Sequence, residues 1–109
     1  MARPKKVTLK LYEHHYIFCL NQKPDVFRKW YRKTFKLDID LTGADGATIP
    51  VSAENTIIIW TENNSDLTLL HECVHAAHMT LYDIGHKANY LNDEVDAYLI
   101  SYLFSKAKS

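Results

Sequence analysis

Residues 69–78 read LLHECVHAAH and carry His71, Glu72 and His75 in the order H-E-x-x-H. The run is otherwise apolar and favours a helix, in which positions i and i+4 lie on one face about one turn apart. The two imidazoles can therefore reach one metal ion. Glu72 lies about 100° round the helix from His71, which suits a base better than a third ligand. The stretch predicts a zinc site whose general base is Glu72.

Matches to this short motif also occur by chance in proteins without metal, so the neighbouring residues matter. His78 follows His71 by two turns, about 10 Å along the axis, and is predicted to lie at the rim of the site instead of binding the same ion. Cys73 is expected to be a small buried residue. The packing face of the helix is predicted to be an apolar stripe, which leaves the histidines outside the core. Its members are Leu70, Val74, Ala77 and Leu81.

A catalytic zinc site needs a third protein ligand and an open fourth position. Glu94 follows His75 by nineteen residues and is expected in the first turn of the next helix. A hairpin of two helices could bring that carboxylate back across the metal face, and a helical position fixes a ligand better than a loop does. We therefore predict zinc on His71, His75 and Glu94. Other candidates for the third ligand are His86, Asp93 and Asp96.

The sequence LLHECVHAAHMTLYDIG followed by NDEVDAYLISYLF resembles small gluzincin-like zinc metallopeptidases of phages and prophages, over roughly residues 56–104. Those proteins pair H-E-x-x-H with a downstream helix of the N-x-E-x-x-A-Y-L type that supplies a glutamate ligand. The resemblance implies a metallopeptidase-like fold and the same roles for the two histidines and for both glutamates. It departs from the thermolysin-type pattern because Tyr98 stands where an Asp would follow the ligand glutamate by four.

The remaining pattern predicts an α+β fold, a minimal zincin-like domain with a small sheet, an H-E-x-x-H helix and a C-terminal helix that bears a ligand. Residues 1–6, MARPKK, are predicted to be a basic flexible arm, and residues 7–109 a single domain. A strand is expected from Val7, and an amphipathic helix after Pro24 with an aromatic face. The run TIIIW at 56–60 does not alternate, which indicates a strand covered on both faces.

Two further helices complete the prediction. Ser65 or Asp66 is the expected N-cap of the H-E-x-x-H helix, which should stop near Gly85. Asn92 or Asp93 is the expected N-cap of the last helix. His14 and His15 are neighbours on a strand, so they should point to opposite faces and serve structural or surface roles.

Charge is unevenly distributed along a chain of zero formal net charge. Residues 1–36 hold ten Lys and Arg against two acids, whereas residues 37–109 hold three against eleven. Such asymmetry fits two halves that attract each other on folding, or a nucleic-acid site on the basic half. The two cysteines demand no disulfide framework, and no apolar run reaches the ~18 residues of a membrane span. We expect a cytoplasmic protein, in the bacterial host if phage-encoded, without membrane contact.

The function predicted from these patterns is zinc-dependent hydrolysis of peptide bonds in a peptide or protein, with Zn²⁺ as cofactor. Oxyanion donors could come from His78, Tyr82, His86 or Tyr90, and spacing alone does not choose among them. The alternative is a non-catalytic, zinc-stabilised protein-binding module of phage origin. Nucleic-acid binding through the basic helix 23–36 is less favoured, because the net charge of the chain is zero.

Overall fold

The computed structural model describes residues 4–86 and 93–109, and within these ranges the fold is α+β. A four-stranded mixed sheet has the order β1-β2-β4-β3. No helix in the described ranges is both long enough and apolar enough to cross a membrane. The strands are β1 (Lys5–Leu9), β2 (His14–Cys19), β3 (Gly46–Val51) and β4 (Thr56–Thr61), and the helices are α1 (Pro24–Phe35), α2 (Asp66–Asp83) and α3 (Glu94–Lys108).

The sheet consists of two antiparallel hairpins joined side by side. β1 pairs with β2, β3 pairs with β4, and β2 runs parallel to β4. Each hairpin turns through one short 3-10 helix that ends on a left-handed residue, Glu13 in the first hairpin and Asn55 in the second. The order leaves β1 and β3 as the edges of the sheet.

Strand β4 is buried along its whole length. Ile57 and Ile59 belong to the core between the sheet and helices α2 and α3, while Ile58 and Trp60 belong to the core on the other face, against α1. The alternation follows from the two-residue repeat of a strand. This confirms the prediction that the TIIIW segment is covered on both faces.

Helix α1 covers one face of the sheet with aromatic side chains. It begins at Pro24, where the missing N–H leaves no helical hydrogen bond unmade. Phe27 and Tyr31 are buried, and the ring of Phe27 stacks on that of Trp60 with centroids 5.6 Å apart. The predicted amphipathic helix is thus confirmed. On its outer side Asp38 bridges two of the cations, Arg28 at 3.2 Å and Arg32 at 3.0 Å.

Helices α2 and α3 run antiparallel over the other face. Lys108, the last residue of α3, donates to Asp66 at the start of α2 at 2.8 Å. The predicted packing stripe on α2 is partly wrong, because Leu70 is 41% exposed and Val74 is only half-buried. The helix packs on the sheet and on α3 together, which turns its buried arc by about one residue. The buried residues are Leu69, Glu72, Cys73, Ala76, Ala77, Thr80 and Leu81.

The N-terminal boundary also differs from the prediction. β1 begins at Lys5, so Lys5 and Lys6 are strand residues paired with Phe18 and Ile17, not part of an arm. The Nζ of Lys5 lies 2.6 Å from both the Lys106 carbonyl and a Ser109 oxygen. Carbonyls at the end of a helix favour a cation there. The first two residues of β1 thus pair with β2, and Lys5 also contacts the end of α3, a contact that the local sequence pattern does not show.

Candidate metal centre

The two histidines of the H-E-x-x-H motif meet on the exposed face of α2. The helix begins as predicted, because the Ser65 hydroxyl accepts a hydrogen bond from the Thr68 N–H at 3.3 Å. One turn separates His71 from His75, and their Nε2 atoms lie 3.2 Å apart. Their rings are nearly perpendicular, at 81°. The predicted juxtaposition of the two imidazoles is present.

This separation can be compared with what one metal ion requires. Two imidazole nitrogens that each lie ~2.05 Å from a tetrahedral zinc ion are about 3.3 Å apart. The observed 3.2 Å between the Nε2 atoms of His71 and His75 fits that arrangement. The same distance also fits a hydrogen bond in which one neutral ring donates to the other, and such a bond depends on the tautomers. The pair therefore fits zinc chelation without requiring it.

Glu72 stands beside the histidines but is buried, with 6% of its surface exposed. Its Oε1 accepts a hydrogen bond from the Thr48 hydroxyl at 2.8 Å, and the same hydroxyl lies 3.0 Å from the Glu72 carbonyl. A buried carboxylate needs such a donor to offset its lost hydration. Thr48 is a site residue that the sequence did not reveal, since it lies on β3, twenty-four residues away.

A glycine lets β3 come this close to the helix. A Cβ at Gly46 would lie 3.0 Å from both the Thr68 Cγ2 and the Trp60 carbonyl, and 3.2 Å from the Glu72 Cγ. Any larger residue would therefore push the strand and the helix apart. Gly46 is the first residue of β3, at the point where the strand packs tightly against α2.

An open cavity of about 420 Å³ lies between edge strand β3 and the N-terminal half of α2. It brings the first histidine and the motif glutamate to one solvent-accessible space. Its wall is polar except for one leucine, which is 79% exposed. The lining residues are Asp45, Gly46, Leu67, Thr68, His71 and Glu72.

Glu94, the predicted third ligand, is the first residue of α3 and is exposed. The start of α3 lies by the C-terminal end of α2, and His75 precedes that end by eight residues, about 12 Å along the helix. In residues 4–86 and 93–109 no group of three or more His, Cys, Asp or Glu side chains could hold a metal ion. The structure therefore brings the two histidines together without Glu94, whose ligand role stays a prediction.

The other candidate ligands meet each other at the junction of the two helices. Asp96 is buried, and its Oδ2 lies 3.4 Å from the Nε2 of His86. Neither atom has a hydrogen-bond partner of good geometry, and both are shielded from solvent. Asp93 is exposed at the N-cap position of α3. His86 and Asp96 thus form a polar contact between α2 and α3, away from the histidine pair.

Among the candidate oxyanion donors, His78 and Tyr82 are exposed on α2, and Tyr90 lies outside the described residues. Cys73 is fully buried, as predicted, and burial raises the pKa of its thiol to about 12. A thiol held neutral in this way is a poor metal ligand.

His14 and His15 point to opposite faces of the sheet, as predicted. The Nδ1 of His14 lies 2.6 Å from the Tyr12 carbonyl, and its Nε2 lies 3.2 Å from the Asp83 carboxylate. His15 contacts the Thr8 hydroxyl at 2.9 Å on the other side. The two histidines therefore connect neighbouring elements and do not share a site.

No protein-family model matches the chain, and neither a curated protein nor a solved structure matches it. A functional assignment therefore depends on the residues of the chain itself.

Proposed function

We propose that this protein is a zinc-dependent hydrolase of peptide bonds, with His71 and His75 as zinc ligands. One observation carries the proposal: the exposed Nε2 atoms of the pair lie 3.2 Å apart, close to the ~3.3 Å separation of two nitrogens on one tetrahedral zinc ion. When bound, zinc supplies an acidified water and a Lewis acid for a scissile carbonyl. This assignment agrees with the resemblance to gluzincin-like phage proteins.

Glu72 is the proposed general base. It is adjacent to the first ligand in sequence, lines the same open cavity as His71, and is held by the Thr48 hydroxyl. A carboxylate fixed in this way keeps one oxygen available for a proton from water while the other is oriented. The proton would then pass from Glu72 to the leaving amine. A site that only stabilised the fold would need no carboxylate at this position.

Glu94 is proposed as the third zinc ligand, on the basis of the family pattern. Glu94 is exposed in the first turn of α3, so its carboxylate is not part of the core. Zinc binding would have to draw the first turn of α3 toward the histidine pair. The free energy of binding a structural or catalytic metal is large enough to favour such a closed conformation over the one described.

Strand β3 supports a peptide as the substrate. It is an edge strand, so one side of its backbone has no partner strand in the sheet, and it borders the cavity that contains His71 and Glu72. An extended peptide can add to such an edge through main-chain hydrogen bonds. Pro50 has no N–H to donate, so pairing would use the part of β3 before it, which is the part beside the cavity. β4, by contrast, is central in the sheet and offers no edge.

The first experiment measures zinc in the purified protein. We expect one equivalent in the wild type, loss of at least tenfold in affinity for His71→Ala and for His75→Ala, and retention in His78→Ala, which removes an exposed histidine from the same helix. Glu94→Gln should weaken binding, whereas its neighbour Asp93→Asn should not. Absence of stoichiometric zinc in the wild type would overturn the proposal. Unchanged zinc affinity in Glu94→Gln would contradict only the assignment of Glu94 as the third ligand.

The second experiment separates catalysis from binding. Glu72→Gln keeps the shape of the side chain and an oxygen that can accept from Thr48. We expect this variant to retain zinc and fold while cleavage of a mixed peptide library, followed by mass spectrometry, falls by a hundredfold or more. Zinc binding with no cleavage by the wild type would instead favour the zinc-stabilised binding module.

A further inference from the structure

The cavity beside the histidine pair has a chemical character that points to a class of substrate side chain. Two of its lining residues differ from the rest in what they offer a ligand: Asp45 carries an exposed carboxylate and Leu67 presents an exposed apolar surface. Glu72 also faces this space, whereas no Lys or Arg is among the lining residues. The cavity therefore combines negative charge with one apolar side chain in an otherwise polar wall.

The position of this cavity relative to β3 decides what could enter it. Gly46 is the first residue of β3 and faces α2, where a Cβ would come within 3.2 Å of Thr68 and Glu72, and the cavity lies beside this close contact. Side chains of an extended peptide alternate between the two faces, so every second one would point toward α2. The residue of an added peptide that lies opposite Gly46 would thus direct its side chain toward α2 and the cavity.

We infer that this cavity is a specificity pocket for a lysine or arginine side chain of the peptide, with Asp45 as the residue that selects it. Both side chains have an apolar stem and a cationic head, and they bury the stem while the head stays in a polar environment. Leu67 matches the stem, and the Asp45 carboxylate matches the head. A charge-assisted hydrogen bond to a carboxylate is roughly twice as strong as a neutral one.

Asp45 is placed to serve this role without disturbing the fold. It directly precedes β3, its backbone carbonyl accepts from the Glu62 N–H at 2.8 Å, and its side chain is exposed. No ion pair in the described part of the chain involves this carboxylate. Asp45→Asn keeps the backbone contact and removes only the negative charge, so it tests selection directly.

The inference rests on the proposed function, and its test uses binding so that the two can fail separately. The probes are two fluorescein-labelled octapeptides of Gly, Ala, Ser and Leu that differ only in one central residue, Arg or Gln. Each is titrated with the full-length Glu72→Gln protein plus one equivalent of zinc, and fluorescence anisotropy gives Kd. The same titrations are made with Asp45→Asn, and with Asp25→Asn as the matched control, in the Glu72→Gln background. Asp25 is an exposed acid on α1, across the sheet.

We expect the Arg peptide to bind about tenfold more tightly than the Gln peptide at low salt. The preference should fall to less than twofold in Asp45→Asn, persist with Asp25→Asn, and weaken as salt screens the charges. Equal binding of the two peptides by the reference protein, or a preference that survives Asp45→Asn, would overturn the inference. Failure of the wild-type protein to cleave any peptide would count against the proposed hydrolysis. It would not change the measured preference for the Arg peptide, which tests the pocket alone.

Discussion

The two faces of the sheet are built on different chemistry. On the α1 face, stacked aromatic rings form the core, and the indole N–H of Trp60 donates to the Gln22 carbonyl at 2.9 Å. On the α2 and α3 face, the core contains aliphatic and small residues together with Tyr16 and Phe18, and buried polar groups such as Glu72 and Asp96 lie on the same face. Burying a polar group costs free energy unless a hydrogen bond or an opposite charge compensates for its lost hydration. The core of the α1 face contains no residue of the candidate site, whereas the α2 and α3 face combines the larger buried core with the candidate chemistry.

The largest expected loss of stability comes from a substitution in the aromatic core on the α1 face. Trp60→Ala removes a fully buried ring from contact with Phe27 and should cost about 3–5 kcal/mol of unfolding free energy. Urea denaturation followed by circular dichroism measures it. Tyr98→Ala, at a side chain that is 72% exposed, serves as the control and should change stability by less than about 0.5 kcal/mol. Similar losses for both changes would contradict the assigned core.

A second prediction concerns pH and involves both faces equally. Burial raises the pKa of the Cys19 thiol, on the α1 face, and of the Cys73 thiol, on the α2 face, each to about 12. The folded state thus favours the neutral thiols. Their stabilising contribution is complete below the unfolded pKa of about 8.5 and is lost as pH rises toward 12.

Each thiol should therefore reduce the unfolding free energy by about 3 kcal/mol between pH 8 and pH 11. Urea titrations at the two values measure the change, and Cys19→Ala or Cys73→Ala should each flatten the dependence by a similar amount. A slope unchanged in both variants would be incompatible with this origin.

A third prediction isolates the polar contact of the α2 face. Thr48→Val leaves the buried Glu72 carboxylate without its donor and should cost about 1–3 kcal/mol. The matched change Thr34→Val, at an exposed position on α1, should cost less than about 0.5 kcal/mol. Thermal melts of the two variants measure the difference. Equal melting temperatures would mean that the hydroxyl does not hold the carboxylate.

The smallest expected loss of stability concerns a buried hydrogen bond on the α2 and α3 face of the sheet. The Tyr16 hydroxyl is 2.6 Å from that of Thr80, and Thr80 also donates to the Ala76 carbonyl at 2.9 Å. Tyr16→Phe removes one buried hydrogen bond but leaves Thr80 with its carbonyl partner, so the loss should be about 1 kcal/mol. Chemical denaturation of this variant beside Thr48→Val ranks the two polar contacts, and a larger loss for Tyr16→Phe would reverse the ranking.

Features encoded locally were predictable, and those that depend on two elements were not. Pro24 with its aromatic repeat, the Ser65 cap and the Ile57 to Ile59 run each specify an element through nearby residues. The i, i+4 spacing likewise places His71 beside His75, because the helix itself sets their distance.

The Thr48 contact with Glu72 joins residues from two elements, and no local pattern signals it. The turned packing arc of α2 has the same origin, since it depends on how the helix rests on the sheet and on α3 together. The start of β1 at Lys5 likewise involves other elements, since Lys5 pairs with Phe18 of β2 and contacts the end of α3. Tertiary contacts of this kind regularly override local preferences.

The parallel pairing of β2 with β4 has a consequence for how fast the chain reaches its native state. Each hairpin closes over a short loop, but His15 pairs with Thr56, and the register keeps a separation of 41 residues throughout this central pair. Closing a long loop costs entropy before its contacts return any free energy, so non-local pairing slows folding. We expect the two hairpins to form early, and the pairing of β2 with β4 along Tyr16 to Phe18 to limit the folding rate. Ile58→Val, in this central pair, should therefore slow folding more than Val7→Ala on the edge strand β1 does.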